Sequence, residues 1–312
     1  VKVINNTNYD ILYSTSVDYM DCSSQFINVT GTDNKPIVFF NSSVNIQNWN
    51  NNVSEIILCG ADYSTIDNLT MNHTDKKNNG LILVATKYTN ITNSLFANLY
   101  RGISLAGGVY QSMYNQLVNI TCLNNENSGV HTDYMSSNTF ENISVTGGGY
   151  GILIRVSSKN AFDKITVKNC GTGILLFSSG NNNFTNLRAE DNTYGIYMEY
   201  DSDSTIIKDS SIINSTTLDI KERGTTYLIN TTFNKTNVSV SGKMIVEWYL
   251  DICVNSTSGK SLSEANVTGW QSNETQVFSE LTNSSGCIQR KTLIEYIQNS
   301  SQVYPENVTS YI

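Results

Sequence analysis

Apolar and polar residues alternate in short bursts along most of this chain, and the bursts recur at a fixed interval. Gly-apolar-x-apolar appears at Gly129 (GVHTD), Gly151 (GILIR), Gly173 (GILLF) and Gly195 (GIYME), each 22 residues after the last. Gly80 (GLILV) and Gly102 (GISLA) are also 22 apart, and TLDIK at Thr217 continues the series without the glycine. Phe140, Phe162, Phe184 and Ile206 form a second series, and Asn115, Asn138, Asn160 and Asn182 a third. Within each burst the period is 2, that of a strand; helical heptads do not generate such a repeat.

One coil of this length cannot bury its own apolar residues. Stacking coils at a strand spacing of ~4.8 Å turns like residues into ladders around one continuous core. The pattern therefore predicts an all-β fold, a parallel β-helix of about 22-residue coils over residues 1–241. Ile152/Ile154, Ile174/Leu176, Ile196/Met198 and Leu218/Ile220 are expected to point inward. The three phenylalanines should stack inside, and the asparagine series should sit at a bend and bond from coil to coil. The irregular N-terminal stretch is expected to cap the open end.

The run NTFENISVTGGGYGILIRVSSKNAFDKITVKNCGTGILLFSSGNNNFTNLRAEDNTYGIYMEYDSDSTIIKDSSI resembles the right-handed parallel β-helix repeat of NosD-like and carbohydrate-binding or sugar-hydrolase proteins. That resemblance covers about three quarters of the chain and implies a surface protein, archaeal or bacterial. It is specific for fold and silent on function. Past Gly242 the grammar changes to strand, turn, strand (SGKMIVEWYLDICVNSTSGKSLSEANVTGW). This part resembles the seven-stranded carboxypeptidase-regulatory-like or transthyretin-like sandwich. Residues 242–312 are assigned to such a module.

Composition supplies the compartment. Asn, Ser and Thr number 42, 37 and 32 of 312 residues, while charged residues are 15% and the net charge is −8. The 19 Lys and Arg form no run, which excludes the clustered basic footprint of a nucleic-acid binder. There are 20 Asn-x-Ser/Thr sequons: Asn5, Asn28, Asn41, Asn52, Asn68, Asn72, Asn90, Asn119, Asn142, Asn183, Asn214, Asn230, Asn234, Asn237, Asn255, Asn266, Asn273, Asn283, Asn299 and Asn307. That is roughly twice what composition alone produces, and each marks a candidate N-glycan acceptor on an extracellular protein. The opening VKVINNTNYD is no signal peptide, and no apolar run reaches a membrane span. The chain is read as a mature form or a fragment.

Six cysteines fit an oxidising compartment. Cys253 with Cys287 is a candidate staple of the C-terminal module, and Cys22 with Cys59 a candidate closure of the N-terminal cap. Cys122 falls at the inward ladder position of Val145, Val167 and Ala189; Cys170 lies two coils on, beyond disulfide reach of it.

The outward positions form two expected ladders. One is Ile82, Ser104, His131, Leu153, Leu175, Tyr197, Asp219; the other is Val84, Ala106, Asp133, Arg155, Phe177, Glu199, Lys221. A glycosidase needs two carboxylates about 5–9.5 Å apart. Asp133 and Glu199 are three coils apart, ~14 Å; Glu199 and Asp219 are nearer, but with Lys221 beside them they read as an ion pair. No nucleophile joins His131 and Asp133. Glu199, Asp201 and Asp203 offer oxygen ligands for calcium without EF-hand spacing. No catalytic group, metal or cofactor is assigned beyond N-linked glycans. The outward apolar set Ile82, Val84, Leu153, Leu175, Phe177 and Tyr197 reads as a contact face covered by protein. The expected function is structural: a glycosylated protein of a surface layer, sheath, filament or adhesin, self-associating through β-helix faces. A carbohydrate-binding or polysaccharide-cleaving β-helix is the alternative.

Overall fold

The structure is a computed structural model. It describes residues 22–311 apart from 75–77, 109–110, 201, 272–273, 301 and 306–307. The sequons at Asn5, Asn273 and Asn307, and Asp201, lie outside the described residues.

The chain winds as a parallel β-helix. Ten strands, from Ile37–Phe40 through Ser128–Asp133, Tyr150–Arg155, Thr172–Phe177, Tyr194–Glu199 and Leu218–Glu222 to Val238–Val240, lie side by side in chain order. The intervening strands build a second, sixteen-stranded sheet. Most coils give one strand to the first sheet, turn, give one or two to the second, and return.

The inward ladders explain why these residues form these strands. Val130, Ile152, Ile174, Ile196 and Ile220 are in register, all buried. Phe140, Phe162 and Phe184 stack with ring centroids 4.5 Å apart. Gly151 and Gly173 lie where an added Cβ would fall within 2.6 Å of the next coil's carbonyl oxygen. Only glycine admits that approach. Asn138, Asn160 and Asn182 are buried, and each side-chain carbonyl accepts the backbone N–H of the equivalent residue one coil earlier, at 2.9–3.1 Å. Their Nδ2 groups donate to carbonyls of Ser112 and Ser157 among others. The amides thus satisfy backbone groups that a tight bend would otherwise orphan.

Two register expectations are corrected. Phe184 pairs with Ile207, not Ile206. One extra residue in this coil flips the strand, so Ile207 is buried and Ile206 is exposed. In the next coil Ile196 pairs with Ile220 and Tyr197 with Lys221. Two extra residues shift this coil, and a shift of two preserves the in/out alternation. Ile220 is therefore inward, Leu218 pairs with Tyr194, and Glu222 enters the interior beside Ile220's end of the strand. Asp219 is also buried; it accepts hydrogen bonds from the backbone N–H groups of Ser215 and Asn234.

Cys122 is buried in the core opposite Val145. Burial pushes its thiol well above the usual range, and pushes that of Cys170 to about 11. Both are free. Cys22 and Cys59 are joined across the N-terminal cap, with Cα atoms 5.4 Å apart.

At the other end, Lys243–Leu250 pairs in parallel with Thr225–Ile229 and antiparallel with Lys291–Asn299. The long sheet therefore runs through Gly242. Beyond it, Asn266–Gln271 pairs antiparallel with Gln276–Leu281 and Val308–Tyr311. Val267, Phe278 and Ile288 form a small separate core there, with Leu250 and Leu293 packed against it. Cys253 and Cys287 are joined beside it.

Candidate functional site

The outer face of the ten-stranded sheet carries Ser104, His131, Leu153, Leu175, Tyr197 and Lys221 in one register. Beside it run Ala106, Asp133, Arg155, Phe177 and Glu199. Arg223 follows, its Nη1 3.9 Å from a Glu199 carboxylate oxygen. Asp219 is not on this face, so it forms no outward carboxylate pair with Glu199.

The face has three parts. At the N-terminal end Ile82 and Val84 are buried with Ile37, Ile57 and Cys59, and Phe26, Val29 and Phe39 pack against them. That part of the expected contact face lies under the chain's own cap.

The middle is polar. His131 is buried, with Nδ1 3.4 Å from the Ser104 hydroxyl. Burial, with Arg101 and Arg155 nearby, pushes its pKa down to about 3. The imidazole is therefore neutral at physiological pH, too weak a base for proton abstraction there. Asp133 is 3.7 Å from Arg155. Burial raises its pKa, against the pull of Arg155 and Arg101. His131 Nε2 and Asp133 Oδ1 are buried without a hydrogen-bond partner among the described residues. Neither atom of the pair has surface that a ligand could reach, so the two are a polar strain inside the wall and no open binding site. The pair supplies no second carboxylate for glycoside cleavage. Among the described residues no group of three His, Cys, Asp or Glu could hold a metal.

The C-terminal end is aromatic and open. Leu175, Phe177 and Tyr197 are half-buried. Phe177 packs against the edge of Tyr200 at 5.4 Å, and Tyr194 lies 5.8 Å from Tyr197. The Lys221 ammonium sits 4.0 Å from the Tyr197 ring centroid, a cation–π geometry. The Tyr197 hydroxyl donates to Glu199.

Sequence periodicity missed the exposed tyrosines of the turns leaving this sheet. Tyr134 and Tyr200 are 41% and 55% exposed. Tyr63, Tyr88 and Tyr114 stack at 5.0 and 5.2 Å, all with positive φ, a conformation rare for bulky residues. Their unequal spacing in the chain hid them; only alignment of the coils reveals the series.

The sequons are partitioned. Between residues 79 and 222 no strand of the ten-stranded sheet carries one, and none falls in the sequence stretches 85–89, 107–115, 134–138, 156–160, 178–182 and 200–204; at the sheet's ends Asn41 directly follows Ile37–Phe40 and the Asn237 sequon runs into Val238–Val240. Through these coils Asn90, Asn119, Asn142, Asn183 and Asn214 all sit in the long sheet or the turn just after its strands. Of the other sequon asparagines, Asn28, Asn41, Asn52, Asn68, Asn72, Asn234, Asn255, Asn266, Asn283 and Asn299 are exposed and Asn230 and Asn237 half-buried. The fully buried asparagines, Asn78, Asn79, Asn115, Asn125, Asn138, Asn160, Asn182 and Asn192, all fall outside sequons.

Comparison with known proteins agrees with this architecture. A family described as "Right handed beta helix region" matches residues 108–266, just over half of the chain. The chain belongs to the right-handed β-helix family. No curated protein sequence matches this β-helix. Among solved structures it is similar to the periplasmic alginate epimerase AlgG, at a TM-score of 0.46 and 11% identity over 65% of this chain. It spans 56% of that epimerase chain. The tailspike protein of E. coli bacteriophage HK620 gives 0.40 and 10% identity, over 91% of this chain and 68% of the tailspike. PfbA, a surface adhesin of Streptococcus pneumoniae, gives 0.27 and 11%, over 85% and 91%. Among the described residues no helix of this β-helix protein is long and apolar enough to cross a membrane.

Proposed function

We propose that this right-handed β-helix is a glycosylated extracellular structural protein of a surface layer, sheath, filament or adhesin, associating through its sequon-free face. The carrying observation is the division of its asparagines. Those inside the fold fall outside sequons, and every described sequon asparagine has its side chain at least partly open to solvent. An acceptor must reach solvent to hold a sugar. Glycans on the long sheet would solubilise a body that has few charges of its own. The small C-terminal unit, read as a sandwich-type spacer, and an archaeal or bacterial cell surface complete the picture.

Peptide mapping of the protein isolated from its own cells tests this. Glycans are expected on sequons such as Asn90, Asn183 and Asn214, with the protein accessible to surface labelling of intact cells. Unmodified asparagine at every exposed sequon would overturn it.

One observation favours a second reading. The exposed Arg155 guanidinium, on the same face as the half-buried rings of Phe177 and Tyr197, suits an acidic sugar. That would make the same face a carbohydrate-binding one. Binding of an acidic polysaccharide, lost on Arg155→Ala, is its test.

A further inference from the structure

The open part of the sequon-free face has an order of charges that matches itself reversed. Along one outer ladder the residues run Asp133, Arg155, Phe177, Glu199, followed by Arg223 beside Glu199. In sign this is minus, plus, aromatic, minus, plus. Along the neighbouring ladder run Leu153, Leu175 and Tyr197.

We infer that this face binds a second copy of the same chain, antiparallel, about a two-fold axis passing beside Phe177. Rotation about that axis brings Arg155 of one copy to Glu199 of the other and Asp133 to Arg223. Phe177 then meets Phe177 and Leu175 meets Leu175, while Leu153, buried in the single chain at 7% exposed, adds little opposite Tyr197. Every charge on the outer ladder finds its opposite and every apolar side chain an apolar one. That is the requirement for an isologous interface, in which one patch must be complementary to itself. His131, neutral at physiological pH, comes opposite Lys221 without a charge clash. A parallel arrangement in the same register would instead set like charges together.

The composition fits the role. Interface centres are enriched in Tyr, Phe and Arg, and this patch holds Phe177, Tyr194, Tyr197, Tyr200, Arg155 and Arg223. It lies on a strip without sequons, so a glycan on the long sheet leaves it clear. Five coils at ~4.8 Å and six-residue strands at ~3.3 Å per residue bury on the order of 1,000 Å² in total. That is near the lower limit for a specific contact, so pairing should be weak in dilute solution and reinforced where many copies are held on one surface.

This pairing rests on the reading above of a self-associating surface protein. Its test uses the whole chain in sedimentation equilibrium over a wide concentration range. Arg155→Glu and Glu199→Arg should each weaken dimerisation by about tenfold or more, because each change strikes two symmetric ion pairs. The double variant R155E/E199R exchanges the partners and should recover dimerisation to within about threefold of the parent. Thermal melts of each variant exclude unfolding as the cause. Independently, Phe177→Cys should form a covalent dimer on mild oxidation, because a residue beside a two-fold axis meets its own copy. Ile206→Cys, exposed on the long sheet, should not.

Equal cross-linking at both positions, or folded single variants without recovery in the double, overturns the pairing. A protein monomeric at all concentrations that binds polygalacturonate through Arg155 also overturns it, and assigns the face to carbohydrate. Glycans at the cell surface with no dimer leave the glycosylated surface role standing and remove association through this face. A dimer with no glycans does the reverse.

Discussion

The two sheets of the helix present the same kind of residue inward and different kinds outward. Inside, both offer aliphatic and aromatic ladders, because a close-packed core leaves little choice of chemistry. Outside, the long sheet offers Asn, Thr, Lys and Glu with amide and ion-pair ladders. Asn142 Nδ2 donates to Asn119 at 2.8 Å, Asn119 to Asn93 at 2.9 Å, and Lys164 pairs with Glu141 at 3.1 Å. The ten-stranded sheet offers leucine, tyrosine and phenylalanine, buried polar groups, and one ladder in which acidic and basic residues flank Phe177. The coil does not require this difference, since both outer faces should meet water. A stacked fold thus separates what it needs for itself from what it presents to others.

The sharpest break of that comparison is Phe162→Ala. Phe162 is buried between Phe140 and Phe184, with centroids 4.5 Å from each. Truncation opens a cavity and removes two stacked contacts, a loss of about 3–5 kcal/mol. Asp163→Ala, on the outward side of the same strand, should change stability by less than about 0.5 kcal/mol. Chemical denaturation of the two variants checks the contrast, and comparable losses would mean that the outside of the long sheet is structural too.

Glu222 is the next test, because it places a carboxylate where the ladder calls for an apolar residue. It is fully buried and accepts hydrogen bonds from the Thr226 hydroxyl and the Gly224 N–H. Burial is the main cause that raises its pKa to about 7, with Asp203 adding to it against those two bonds. The folded value lies above the unfolded one, so the neutral acid is the form that fits. Its full contribution is present below the unfolded pKa of about 4.3 and is lost as pH rises to about 7, a fall of roughly 3–4 kcal/mol. Glu222→Gln keeps the acceptor for Gly224, and its amide N–H stands where the O–H of the neutral acid faces the Thr226 oxygen. It should melt with the parent near pH 4 and above it near pH 8. A parallel pH dependence in both proteins would remove Glu222 as the source.

Where the period stayed at 22 the sequence predicted the helix to the residue. The glycines from Gly129 to Gly195, the Phe140–Phe162–Phe184 stack and the Asn138–Asn160–Asn182 ladder all follow from residues recurring at a spacing of 22. The failures cluster after Glu199, where coils gain one and two residues. The single insertion exchanged Ile206 for Ile207 and is visible only as a mismatch of faces. The double insertion is invisible to alternation, so Asp219 and Lys221 went to the wrong ladder positions and Glu222 was not noticed. Of the candidate site, the outward ladders were legible from the repeat. The cover over Ile82 and Val84 was not, because it comes from residues without periodicity. Nor were the turn tyrosines, whose spacing varies with coil length.

Asparagine itself gives the finest test, because one side chain serves both sides of the wall. Asn160 is buried; its carbonyl accepts the Asn138 N–H at 3.0 Å and its amide meets Asn182 at 3.0 Å. Asn160→Ala leaves that N–H without an acceptor in the core and should cost about 2–3 kcal/mol. Asn142 donates into the outer ladder but is exposed, where water replaces the bond. Asn142→Gln should therefore cost no more than about 1 kcal/mol, most of it from placing Gln at a φ of 53° that favours Asn, while deleting one sequon. Urea melts read the first difference, and the intact mass of the native glycoprotein reads the second. A large loss from Asn142→Gln would place the outer amide ladder, not the sugar, at the centre of what these asparagines do, because exposed amide bonds would then hold coils together as firmly as buried ones.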